Sequence, residues 1–143
     1  MKRPWWNEEN KVDFAESGLA CALRRGPLGA WCGYVGVSAE HPWFGKSYSE
    51  EVSVALSISL CCRVHGGLTW AADCMPSEAP DGRWWFGFDC AHAGDLVPSC
   101  AENWSAQERK LFARDVYRDQ QFVVSETQSL AAQLARVGGD CDE

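Results

Sequence analysis

The chain has 143 residues, a formal net charge of −7 and an isoelectric point near 4.9. Such an acidic surface lacks the basic stripe that displaces counterions from DNA or RNA, which argues against a long nucleic acid as partner. The length suits one domain with a real core, expected over 1–143, and no apolar run is long enough to cross a bilayer, so no membrane association is expected.

The N-terminal residues 1–17 read as an arm. The basic start Met1-Lys2-Arg3 has no hydrophobic segment after it, so no secretion signal is expected and the chain reads as cytoplasmic. In that compartment the eight cysteines are expected to be reduced, mostly as small buried apolar residues. No C-x-x-C pair occurs, and neither a structural metal nor a cofactor is expected. The β-sheet region is expected over 19–95. Leu19 to Arg24 and Ala30 to Val37 read as strands around Arg25-Gly26-Pro27-Leu28-Gly29, whose glycines and proline supply turn chemistry. Gly33 and Gly36 imply bends or close backbone approach, while Arg24 and Arg25 read as solvated surface. Ser38 to Tyr48 reads as a loop with exposed aromatics at Trp43 and Phe44, a candidate lid.

Val52 to His65 alternates apolar with small or polar residues and reads as one long strand, with Arg63 and His65 sharing a face at its end. The stretch from Asp73 to Gly82 is a connection marked by Met75-Pro76, Ala79-Pro80 and Asp81-Gly82. Trp84 to Phe88 reads as a buried strand. From Ser105 the period becomes helical, with Ser105 as N-cap and Glu108 three residues on. Val116, Val123, Thr127, Leu130, Leu134 and Val137 then form a stripe stopped by Gly138-Gly139, giving a helical region over 105–137 as one helix or two collinear pieces. Strands first and helix last make the class α+β: an antiparallel β-sheet with a long C-terminal helix packed on one face.

Chemistry concentrates at two strand ends. His65-Gly66-Gly67-Leu68-Thr69-Trp70 places an imidazole beside a glycine pair, with Arg63 two residues before. Consecutive glycine amides can form an anion-binding nest, to which Thr69 would add a hydroxyl. Asp89-Cys90-Ala91-His92-Ala93-Gly94-Asp95 sets two acids, a thiol and an imidazole among small residues. Those acids could simply cap backbone amides. In a binding pocket Asp89 and Asp95 would accept from sugar hydroxyls or a base, while His92 would donate to phosphate. Trp70 or Trp85 would stack on a base, worth about 1–3 kcal/mol. In an enzyme, Asp89, His92 and Asp95 with His65 would hold a metal, or His65 with Cys90 would make a nucleophile and base.

These two motifs resemble those of a group of small, largely uncharacterised proteins of bacteriophages and prophages. The likeness runs through His65-Gly66-Gly67-Leu68-Thr69-Trp70-Ala71 and Trp84-Trp85-Phe86-Gly87-Phe88-Asp89-Cys90-Ala91-His92-Ala93-Gly94-Asp95. It extends to Gly26-Pro27-Leu28-Gly29, to Gly33-Tyr34-Val35-Gly36-Val37, and to the helix from Tyr117-Arg118-Asp119 to Leu130-Ala131, covering most of 19–136. The resemblance implies a phage origin, and small accessory phage proteins often counter host defence. The expectation is therefore a protein that binds and sequesters a small phosphorylated immune signal, a cyclic nucleotide or ADP-ribose type, without turnover, in the host cytoplasm. The ligand contacts would be Arg63, His65, Gly66, Gly67, Thr69, Trp70, Trp85, Asp89, Cys90, His92 and Asp95. A homo-oligomer is expected from the surplus of aromatics. The alternatives are a phosphoester hydrolase acting on such a signal, or an inhibitor that docks on a host defence protein through Trp43-Phe44.

Overall fold

The computed structural model describes residues 5, 8–26, 28–92, 94–98, 105–111 and 115–140. In chain order the elements are β1 (Lys11–Glu16), β2 (Leu19–Arg25), β3 (Trp31–Val37), β4 (Glu51–Ser53), β5 (Leu56–Ser57), α1 (Ile58–Cys61), β6 (Trp70–Ala72), β7 (Trp84–Asp89), α2 (Ala106–Leu111) and α3 (Gln120–Asp140). Five strands pair antiparallel in the order β1-β2-β3-β7-β6, and the long C-terminal helix α3 packs on β2 and β3, so the class is α+β.

Because successive strand side chains alternate, the sheet sorts its residues into two cores. Leu23, Trp31, Val35, Val37, Phe86 and Phe88 point toward α3 and meet its stripe of Val123, Leu130, Ala131 and Leu134. Val123, Leu130 and Leu134 each stabilise by about 1.5–3 kcal/mol through burial. The other face gathers Ala22, Tyr34 and Trp85 under Met75 from the connection before β7. Helix and sheet touch at Gly33, where a Cβ would stand 2.3 Å from Thr127 Oγ1, so only glycine fits there. Trp31, Trp43 and Trp85 are buried and Trp70 and Trp84 half-buried, which places the described indoles within the chain's own packing. Among the described residues no helix is long and apolar enough to cross a membrane.

Several expectations are corrected. Within the N-terminal arm, residues 11–16 are the edge strand β1, with Val12 and Phe14 packed against the core. The segment Val52 to His65 is not one strand. Ala55 adopts φ +60° and turns the chain between β4 and β5. Ser57 then caps α1, its side chain accepting from the Leu60 amide at 3.3 Å. Serines at 53, 57 and 59 with Ala55 between mimic strand alternation, yet serine is also a preferred helix cap, and here capping wins. The lid reading fails as well. The His41 ring bonds the Leu134 carbonyl at 2.8 Å, Trp84 Nε1 donates to Lys46 O at 2.8 Å, and Trp43 is buried. Phe44 rests on Trp84 with ring centroids 6.1 Å apart. Both aromatics are therefore packed inward rather than presented to a partner.

At the C-terminus the Ser105 capping box forms as expected, with reciprocal bonds of 3.3 and 3.2 Å to Glu108. The helical region is two pieces: Val116 leaves helical geometry to bridge Asp95 in parallel and is half-exposed. Gly138 and Gly139 do not stop α3, which runs to Asp140, because glycine weakens a helix without obligatorily ending it. Arg24 and Arg25 are not solvated surface, with side chains 16% and 11% exposed. Arg25 stacks over Trp31, its Cζ 4.1 Å from the ring centroid, and bonds Glu8 at 3.0 Å and the Tyr117 hydroxyl at 2.7 Å. Glu8 also accepts from Tyr117, from Trp31 Nε1 at 3.2 Å and from the Gln120 amide at 2.7 Å. Burial pushes the Glu8 carboxyl up, but these donors outweigh it and hold it below its ordinary value.

Candidate functional site

The two glycine-bearing motifs converge. After α1 the chain turns between Val64 and Gly67, whose amide bonds the Val64 carbonyl at 2.9 Å. Gly66 and Gly67 hold φ +70° and +80°, a left-handed conformation that glycine adopts without a Cβ penalty. A Cβ on Gly66 would lie 2.2 Å from the His92 ring, so the second motif packs directly on the first. The His65 and His92 rings meet edge to face, with centroids 5.9 Å apart.

Asp95 organises this junction. Its side chain is 1% exposed, and it accepts from His65 Nε2 at 2.8 Å, Arg118 Nε at 2.9 Å and the His92 amide at 3.0 Å. The turn that aims it closes with Asp95 N bonding the His92 carbonyl at 2.9 Å, across Gly94 at φ +90°. The bridge from Asp95 to Val116 brings Arg118 into place two residues later. Burial alone would raise the Asp95 carboxyl, yet the bonds from His65, Arg118 and the His92 amide hold it below its ordinary value. An ionised carboxylate only accepts, which puts a proton on His65 Nε2 and leaves Nδ1 as the spare nitrogen. The ring is set further by the edge of Phe122, with centroids 5.3 Å apart, and the His65 amide is held by Glu126 at 2.8 Å.

Beside this hub lies a recess of ≈ 490 Å³ lined by Gly26, Leu28, Ala30, Cys32, Asp89 and His92 together with Ala91. It is walled by the β2–β3 turn on one side and the end of β7 on the other. Asp89 accepts from Thr69 Oγ1 at 3.0 Å and from the Ala91 amide at 3.0 Å, the Asx turn anticipated for it. His92 Nε2 lies 3.2 Å from Asp89 Oδ1, but off the direction of a hydrogen bond, so this buried nitrogen has no hydrogen-bond partner. That nitrogen lies against Gly66 and is closed to solvent, so it is the remainder of His92 that lines the recess.

The candidate residues therefore divide. His65, Gly66, Thr69, Asp89, His92 and Asp95 assemble around one junction. Gly67 belongs to its turn, with its amide already bonded, so the glycine pair is not an open nest. Arg63 does not join His65: it lines a separate cavity with Gln133 and Arg136 of α3. That follows from the loss of the long strand, which alone would have put both on one face. Trp70 and Trp85 lie in the second core, their Nε1 atoms donating to Cys74 O and Asp81 Oδ1, both at 3.0 Å, and they line no wall of the recess. Cys90 is buried in the main core, and burial pushes its thiol well above the ordinary range, so a His65–Cys90 nucleophile is not formed. Among the described residues no three His, Cys, Asp or Glu side chains are placed to hold a metal ion.

Sequence reasoning missed Arg118, Phe122 and Glu126. The available signal was Tyr117-Arg118-Asp119, a polar break inside an apolar helical stripe. Comparison with family models, with curated proteins and with solved structures returned no match for this chain.

Proposed function

We propose that this chain binds a small phosphorylated ligand of nucleotide type in the recess beside His92 and Asp89, and withholds it without turnover. The observation that carries the reading is the junction itself: both motif histidines meet there, and His92 with Asp89 lines an open recess of ≈ 490 Å³. That volume falls in the range of small-molecule pockets, and its mixture of apolar wall and few polar groups is what such pockets present. In this reading His92 donates to a phosphate or hydroxyl oxygen, Asp89 accepts from a ribose hydroxyl or base amino group, and half-exposed Leu28 covers an apolar face of the ligand. His65, oriented by Asp95, backs His92 and supplies its spare nitrogen.

The biological role we infer follows the resemblance stated above: a phage-encoded counter-defence protein, acting in the cytoplasm of the infected host, that removes a cyclic nucleotide or ADP-ribose-type immune signal. One observation favours a second reading, hydrolysis: the His65–Asp95 pair has the geometry of an oriented general base. Against it, the thiol nearest in sequence is core, and Thr69 already donates to Asp89.

Incubation with cyclic dinucleotides and ADP-ribose, followed by denaturation and mass spectrometry of the released molecules, separates the readings. Depletion with intact recovery is the expected result, and it should disappear in His92→Ala. Recovery of a cleaved product would establish the hydrolase instead, and no depletion of any member of the panel would remove both.

A further inference from the structure

The arginines of this chain are not all used alike. Arg24 pairs with Asp13 and Glu78, Arg25 with Glu8, Arg83 with Asp81 and Arg118 with Asp95, each within hydrogen-bonding range. Among the described residues Arg63 and Arg136 have no carboxylate partner, although the sequence carries 20 acids against 13 lysines and arginines. Both line the same cavity of ≈ 510 Å³, between the end of α1 and the second half of α3, together with Cys61, Ser129, Gln133 and Val137.

Its frame is built rather than incidental. Gln133 accepts from the Arg63 amide at 2.7 Å and donates to the Arg63 carbonyl at 2.8 Å, gripping that residue's backbone as a neighbouring strand would. The same amide group donates to Ser129 Oγ at 3.2 Å, which leaves the serine's own proton free for another acceptor. Ser129, Gln133 and Arg136 fall at helical spacing on one face of α3, so the frame and one guanidinium come from a single rigid element. In a chain of excess negative charge, two guanidinium groups without carboxylates, beside a free hydroxyl proton, select a compact oxyanion.

We infer that this cavity is a second ligand site, separate from the recess at His92, that takes a small molecule bearing a phosphate or carboxylate group. Arg63 and Arg136 bind the anion, Ser129 donates to it, and Gln133 positions Arg63. The inference stands whether or not the recess binds a nucleotide, since the two sites share no lining residue.

Cys61 is exposed at this cavity and reports on its occupancy. The test measures the rate of Cys61 alkylation by the neutral reagent iodoacetamide, read by peptide mapping. Inorganic pyrophosphate and succinate serve as separate probes, against sodium chloride at matched ionic strength. Pyrophosphate or succinate should slow the wild-type reaction several-fold, and whichever acts at lower concentration assigns phosphate or carboxylate. Arg136→Gln, an exposed substitution that should leave the fold intact by circular dichroism, should weaken the probe by about tenfold. Arg136→Lys should recover part of that loss, and Arg63→Gln should repeat it. His92→Ala should protect Cys61 as the wild type does. Equal rates in probe and chloride, protection that persists in the double Arg63→Gln, Arg136→Gln variant, or protection lost in His92→Ala would each overturn the second site.

Discussion

Two carboxylates, half-buried Glu8 and buried Asp95, use the same device toward different ends. Each sits under adjacent residues of one segment, Tyr117 for Glu8 and Arg118 for Asp95, and each is surrounded by donors that outweigh its desolvation. Glu8 ties the N-terminal arm to β2, β3 and the start of α3, and its partners are a guanidinium, an indole, a phenol and a backbone amide. Asp95 instead holds a ring with a second nitrogen left over, and it stands next to a recess. A satisfied charge is by itself structural; it points to function when the residues it positions adjoin a recess, as His92 does beside Asp95.

Removing each hub should separate the two roles. Asp95→Ala strands Arg118 and frees the His65 ring, so it should cost about 3–5 kcal/mol in urea unfolding and abolish ligand depletion together. Gly66→Ala forces a Cβ into the His92 ring at φ +70°, and about 2–3 kcal/mol with loss of binding is expected. Gly67→Ala, at φ +80° but with its nearest neighbour 3.6 Å away, should cost about 1 kcal/mol and leave binding in place. Equal effects from the two glycines would contradict the packing of His92 on Gly66. Glu8→Gln should cost about 2 kcal/mol while depletion continues, since the Glu8 hub is remote from the ligand in this account.

The pH dependence follows from sign. Both carboxyls are held below their ordinary values of 4.5 for Glu8 and 3.8 for Asp95, so their ionised forms stabilise the fold at neutral pH. That contribution is fully present above the ordinary values and fades as pH falls through the lowered ones. Unfolding free energy should therefore drop below about pH 4.5, and less steeply in Glu8→Gln. An unchanged acid limb in that variant would show that Glu8 is not held as described. The smallest effect is expected from His92→Ala, less than about 1 kcal/mol of stability, because the ring is only partly buried, but with depletion lost.

Much of the fold was legible because the relevant signals are local. The β2–β3 hairpin follows from its turn glycines, β7 from its aromatic run, and α2 from Ser105 and Glu108. The buried stripe of α3 was visible as period 3.6 in Val123, Thr127, Leu130 and Leu134. The failures share a cause, which is that one pattern can serve two local structures. Serines at 53, 57 and 59 read as a strand's polar face, but Ser57 caps a helical turn. Val12 and Phe14 carried the β1 alternation over a stretch too short to stand out from an arm. At the site, small residues flanking charge marked both motifs, so His65, Asp89, His92 and Asp95 were visible. Their partners Arg118 and Glu126 were not, because nothing local marks a side chain that reaches across about 60 residues, as Glu126 does to His65.

The three histidines allow a direct test of the junction. Long-range proton–nitrogen spectra resolve each imidazole, and His41, tied to the Leu134 carbonyl, serves as an internal reference. The account predicts a protonated Nε2 for His65, and on addition of a cyclic dinucleotide or ADP-ribose that the protein depletes, joint shifts of the His65 and His92 rings with His41 unmoved. Shifts at His41 alone, or a depleted ligand that leaves both His65 and His92 unperturbed, would contradict it.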